Sequence, residues 1–191
     1  MKTLSTIISG LFLAATFAQP ASATTIGFTG SYDVSNWTLT TLIGSTGGVD
    51  TSGAPAAIVL ESDDYGDGLN SNVDFTFTAF EAALISFSWA YDTTDSGGPF
   101  YDPFGYLLNG SFIQLTADGG GTPQNGTASF QVAVGDVFGF RANSVDSSFG
   151  PAFTTVSDFQ ADTPVPEPAS LVLLGTGITA IAARRRMKKR A

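Results

Sequence analysis

Apolar and polar residues alternate with a period of two over most of the chain, the spacing of strands with one buried face. Trp37-Thr38-Leu39-Thr40-Thr41-Leu42-Ile43 and Val73-Asp74-Phe75-Thr76-Phe77 follow it. In Leu84–Tyr91 it sets Ile85, Phe87, Trp89 and Tyr91 on one face, with Ser86, Ser88 and Ala90 opposite. Ala128, Phe130, Val132 and Val134 repeat it. Asn109-Gly110, between Tyr106–Leu108 and Ser111–Ile113, suits a type I′ hairpin because both residues tolerate positive φ. Gly135-Asp136 predicts a second tight turn before Val137–Phe140, and a last strand is expected over Ala152–Phe159. No helical period is sustained between the termini, and no internal repeat signals a solenoid or propeller. The fold class expected is all-β: a single, jelly-roll-like β-sandwich of about eight antiparallel strands. Its core would hold Phe75, Phe77, Phe87, Phe130 and Phe140, with Trp89 packed between the sheets.

The two ends depart from this pattern. Lys2, the apolar run Leu4–Ala18 and the small residues Ala21-Ser22-Ala23 read as a signal peptide over 1–23, cut by signal peptidase after Ala23. At the other end, Val165-Pro166-Glu167-Pro168 precedes an uncharged run from Ala169 to Ala183, then the basic residues Arg184, Arg185, Arg186, Lys188, Lys189 and Arg190. The prolines hold the chain extended, and the cations stop transfer across a bilayer. As a helix the run reaches only about 22 Å, short of the roughly 30 Å hydrocarbon core, which suits a transient anchor better than a permanent one. This order of elements over 164–191 resembles the PEP-CTERM sorting signal of Gram-negative bacteria, the substrate of the membrane peptidase exosortase. The resemblance implies transient inner-membrane insertion through a transmembrane helix, then cleavage near Pro-Glu-Pro and delivery to the cell surface or medium.

Between these ends, 24–163 forms one acidic domain. It holds sixteen carboxylates against a single basic residue, Arg141, for a net charge of −15. Nucleic acids and anionic membranes both require cationic footprints, so neither is an expected partner. The chain has no cysteine and no histidine. That removes thiolate and imidazole catalysis and the usual zinc, copper and haem ligands. No cofactor is required by any motif, and of the metals only those bound by oxygen, calcium above all, remain candidates.

The acids gather in clusters. Glu61–Gly68 is the densest, and a twelve-residue calcium-loop reading from Asp63 puts Asp63 at position 1, Asp67 at 5 and Asp74 at 12, although Tyr65 interrupts position 3. Asp92, Asp95 and Asp102 follow the Trp89 strand, and Asp146 precedes the last one. The aromatics of Pro99–Tyr106 sit beside turn residues, where Tyr101 or Tyr106 could offer a flat face to a sugar ring. Tyr101-Asp102 before a strand, Gly135-Asp136, and Asp146-x-x-x-Gly150 before the final strand together resemble a CUB domain over Tyr101–Phe159. That resemblance implies a calcium ion shared by Asp102 and Asp146. The cysteines of that family are missing here, and its upstream glutamate has no identified counterpart.

Catalytic signatures are sparse. There is no Gly-x-Ser-x-Gly elbow, and a phosphate loop has no lysine to use. Asp95-Ser96-Gly97 is half of an aspartic-protease signature with no second copy, and Glu61 and Glu81 lie in no glycosidase motif. The expectation is therefore an exported, non-enzymatic protein of the cell surface or exopolysaccharide matrix. A glycan-binding or calcium-dependent binding module is the alternative, and a secreted hydrolase ranks third.

Overall fold

The computed structural model of the chain describes residues 22–164 and 176–178. Most of the expected signal peptide, and the sorting segment apart from Pro164 and the short helical stretch 176–178, lie outside the described residues. Among the described residues no helix is long and apolar enough to cross a membrane. Ser22–Val165 forms one compact unit.

That unit is an antiparallel β-sandwich of eleven strands rather than about eight. In chain order they are β1 (Ser22–Ile26), β2 (Thr38–Thr40), β3 (Gly48–Asp50), β4 (Ala57–Glu61), β5 (Ser71–Thr78) and β6 (Ala83–Thr93). There follow β7 (Phe104–Leu108), β8 (Ser111–Gln114), β9 (Gln124–Val132), β10 (Val137–Ser144) and β11 (Ala152–Pro164). One sheet runs β3-β4-β11-β6-β9, with β1 also on β11; the other runs β2-β5-β10-β7-β8. The strands beyond the expected set include β1, β3 and β4. β3 is too short to show a period, β4 is a run of four apolar residues ended by Glu61, and β1 begins within the segment assigned to the signal peptide.

β4 and β1 share one edge of β11. β4 pairs with Phe153–Ser157 and β1 with Gln160–Pro164. Between them β11 bulges, with Asp158 at φ 50°, and this register break lets one thirteen-residue strand serve two short partners.

The alternation places the core as expected. Phe75, Phe77, Phe87, Phe130, Phe140 and Trp89 are all buried. In β6, Ile85, Phe87, Trp89 and Tyr91 turn inward while Ser86, Ser88 and Ala90 turn outward. Trp37 sits at the centre of an aromatic group, stacked between Phe75 (5.2 Å, 14°) and Phe140 (5.5 Å, 9°). Where β5 and β10 pair, a Cβ on Gly139 would fall far inside van der Waals contact with the Phe75 carbonyl oxygen, so glycine alone fits that close approach.

Two turns behave differently from one another. Asn109 (φ 51°) and Gly110 (φ 80°) close the β7–β8 hairpin as their sequence predicts. Gly135-Asp136 instead joins β9 at the edge of one sheet to β10 at the centre of the other, so this tight turn is a crossover between layers. The strand expected to reach Ile43 ends at Thr40, because β2 pairs with only three residues of β5.

The registers gather five connections at one end of the sandwich: residues 41–47, 62–70, 94–103, 115–123 and 145–151. The strand pairs Ser22–Pro164 and Ala83–Val132 lie toward the opposite end.

Candidate functional site

The end that carries these five loops is unusual in its surface. Six of the nine large apolar side chains more than half exposed among the described residues belong to it: Leu42, Ile43, Tyr65, Leu69, Phe100 and Phe149. Phe149 (φ 73°) and Ser147 (φ 46°) both hold left-handed backbone, a conformation bulky residues seldom adopt. Hydrogen bonds to the 62–70 loop keep them there: Gly66 N donates to Ser147 O (2.6 Å), and Gly150 N to Asp64 Oδ1 (3.1 Å).

Asp63 organises this end. It is 4% exposed, and its Oδ1 accepts from Thr46 N (2.7 Å) and Thr46 Oγ1 (3.1 Å). Its Oδ2 accepts from Ser147 Oγ (3.1 Å), whose single hydroxyl proton is shared with Leu69 O (2.7 Å). Burial works to raise its pKa, but hydrogen bonds from Thr46 and Ser147 help outweigh that and hold it below the usual carboxylate range. One carboxylate thus ties three loops together. Beside it opens a depression of about 350 Å³, walled by Leu42, Ile43, Tyr65 and Leu69, with Asp67 and Asn70 at its polar side.

A second group lies between the sheets at the same end. Asp102 is 1% exposed; its Oδ1 accepts from Ser62 Oγ (2.9 Å) and its Oδ2 from Thr93 Oγ1 (3.4 Å). Burial pushes its carboxyl up to about 6, against the hydroxyls of Ser62 and Ser144, and the neighbouring Asp95 adds to the rise. Thr93 Oγ1 also accepts from the Asp95 backbone N (3.0 Å), so the same hydroxyl holds the Asp95 backbone and the Asp102 carboxylate. Asp95 Oδ1 accepts from Gly97 N, whereas its buried Oδ2 has no hydrogen-bond partner.

The residues singled out from sequence are distributed as follows. Asp63, Asp67 and Asp74 do not converge: among the described residues no three acidic side chains come together as a metal cluster. Asp67 Oδ1 accepts from Leu69 N (2.9 Å) within its own turn. Asp74 is held by Arg141 in a two-pronged pair of 2.6 and 2.7 Å, and that guanidinium also lies over the Phe112 ring. Asp146 Oδ1 accepts from Ser148 N (3.2 Å), and the neighbour that bears on Asp102 is Asp95. Tyr106 stacks on Phe130 at 4.3 Å, so one face of its ring is taken. Tyr101 stays partly exposed, edge-on to Phe100. Val165, Pro166, Glu167, Pro168 and the basic residues from Arg184 to Arg190 lie outside the described residues. Sequence reasoning passed over Leu42 and Ile43, which alternation assigned to a strand. It counted Tyr65 only as a break in the calcium pattern.

Fold and tail together define a β-sandwich protein with a sorting segment at its C-terminal side. Residues 164–186 match the PEP-CTERM protein-sorting motif, and the chain carries that motif where the prolines, apolar run and basic cluster predicted it. No curated protein matches the chain. Among solved structures it is similar to a family 35 carbohydrate binding module from Clostridium thermocellum, at 13% identity and TM-score 0.34, over 70% of this chain and 97% of that one. It is also similar to the Podospora anserina GH26-CBM35 beta-(1,4)-mannanase, at 16% identity and TM-score 0.32, over 78% of this chain and 29% of that one.

Proposed function

We propose that the chain is an exported, non-catalytic protein of the cell surface or exopolysaccharide matrix. Signal peptidase removes residues 1–23; the C-terminal segment then inserts transiently in the inner membrane until exosortase cuts near Pro166–Pro168. The observation that carries this reading is the sorting motif over 164–186. Support for a non-catalytic role comes from the lack of histidine and cysteine and from the engagement of Asp63 in structural hydrogen bonds. The test is fractionation of cells that express the chain with Pro166, Glu167 and Pro168 all changed to Ala. The variant is expected to stay in the inner membrane while the unaltered chain reaches the surface or medium. Identical distribution of the two would sink the reading.

A calcium-dependent binding module is the second reading. It is favoured by the buried, unpartnered Asp95 Oδ2 next to Asp102. The Asp95 and Asp102 carboxylates and the Ser62 and Thr93 hydroxyls supply oxygen donors of the kind calcium takes.

A further inference from the structure

The depression beside Asp63 has a composition that the fold does not require. Ile43 is fully exposed, and Leu42, Tyr65 and Leu69 are each more than half exposed, on a domain long enough to bury such residues elsewhere. Its floor is rigid, since Asp63 and Ser147 bind the 41–47, 62–70 and 145–151 loops together. Two polar groups remain available at its side. Asp67 uses only one oxygen within its turn, and Asn70 uses its carbonyl to accept from Asn143 Nδ2 (3.4 Å), which leaves its amide N–H groups for a ligand.

From this pocket we infer a binding site for a neutral pyranosyl glycan, a reading that rests on the mature domain working outside the cell among polysaccharides. A pyranose ring has one apolar C–H face and a rim of hydroxyls. Tyr65 and the aliphatic wall match the face, and the Asp67 carboxylate and Asn70 amide match the rim. Charge selects among glycans. The body at −15 repels polyanions, and its one arginine is engaged by Asp74, so no cationic side chain of the domain is free for a uronate, sulfate or phosphate. A cation is also disfavoured in the pocket itself. Asp63 has its oxygens filled, a single Asp67 oxygen remains, and hydrocarbon walls cannot replace a hydration shell.

The experiment is affinity electrophoresis of the full chain in detergent through gels that contain glucan, mannan, xylan or galactan, with alginate as the anionic comparison. At least one neutral polymer is expected to retard the chain, with no loss of retardation in high salt. Tyr65→Ala should weaken that retardation about tenfold, while Tyr65→Phe should keep it within about threefold. Tyr65 is exposed, so loss of binding with an unchanged melting temperature locates the effect in the pocket. Retardation by none of the neutral polymers, by alginate alone, or equally by Tyr65→Ala and the unaltered chain would overturn the inference. Cell fractionation separates the two readings: export without retardation removes only the pocket, and retardation without export removes only the proposed destination.

Discussion

Asp102 makes the stability of the domain depend on pH in an unusual direction. Its side chain is buried between the sheets and its carboxyl is pushed up to about 6 from a reference near 3.8. The folded state therefore holds a proton that the unfolded chain has released between about pH 4 and pH 6. Folding is opposed increasingly across that window, and the penalty is complete above it, on the order of 2–3 kcal/mol. Asp63 acts in the opposite sense. Its pKa is lowered, so its contribution is present above pH 4 and lost as pH falls further. Stability should thus peak near pH 4–5 rather than at neutrality. Asp102→Asn removes the proton uptake while keeping an oxygen for Ser62 to donate to. The assay is urea unfolding from pH 4 to pH 8 in the presence of a chelator. The variant is expected to gain on the unaltered chain by about 2 kcal/mol between pH 4.5 and pH 7. A difference between the two proteins that stays constant over that range would refute the reasoning.

Two further outcomes follow from the packing and from the second functional reading. Trp37→Ala removes the ring held between Phe75 and Phe140, and denaturant unfolding should show a loss of about 3–5 kcal/mol, with a loss below 1 kcal/mol counting against its central place in the core. Millimolar calcium at pH 7 should raise the melting temperature of the unaltered chain but not of Asp95→Asn; an equal response, or none, removes the calcium reading.

Sequence carried much of the sandwich because a period of two marks a buried face directly, as in β6, β5 and the inner half of β9. The Asn109-Gly110 hairpin was legible for a local reason, since positive φ at two successive residues selects those types. Which sheet a strand joins is a long-range matter. Gly135-Asp136 looks like another hairpin and is a crossover, because nothing in a two-residue turn encodes the layer that its second strand enters. The bulge at Asp158, which lets β11 carry both β1 and β4, left no signal for the same reason.

The candidate site was less readable than the fold. Acid-rich loops announced that end of the sandwich, but pairing among the acids depended on which side chains fold inward. Asp74 belongs to a central strand and meets Arg141 across the sheet, which a loop-spacing pattern cannot foresee. Asp95 appeared in sequence as one acid of a loop cluster and as half of a protease signature, and only burial shows its second oxygen without a partner. Leu42 and Ile43 read as strand because exposed and buried isoleucine are identical in sequence; the three-residue reach of β2 separates them.

The central claim, that the tail is a sorting signal removed on the way to the surface, is tested most directly by intact-mass measurement of the protein recovered from the cell exterior. The expected mass lacks residues 1–23 and ends near Pro166–Pro168, without Arg184–Arg190. A surface form that retained the basic cluster, or a chain found intact only in the inner membrane, would contradict it.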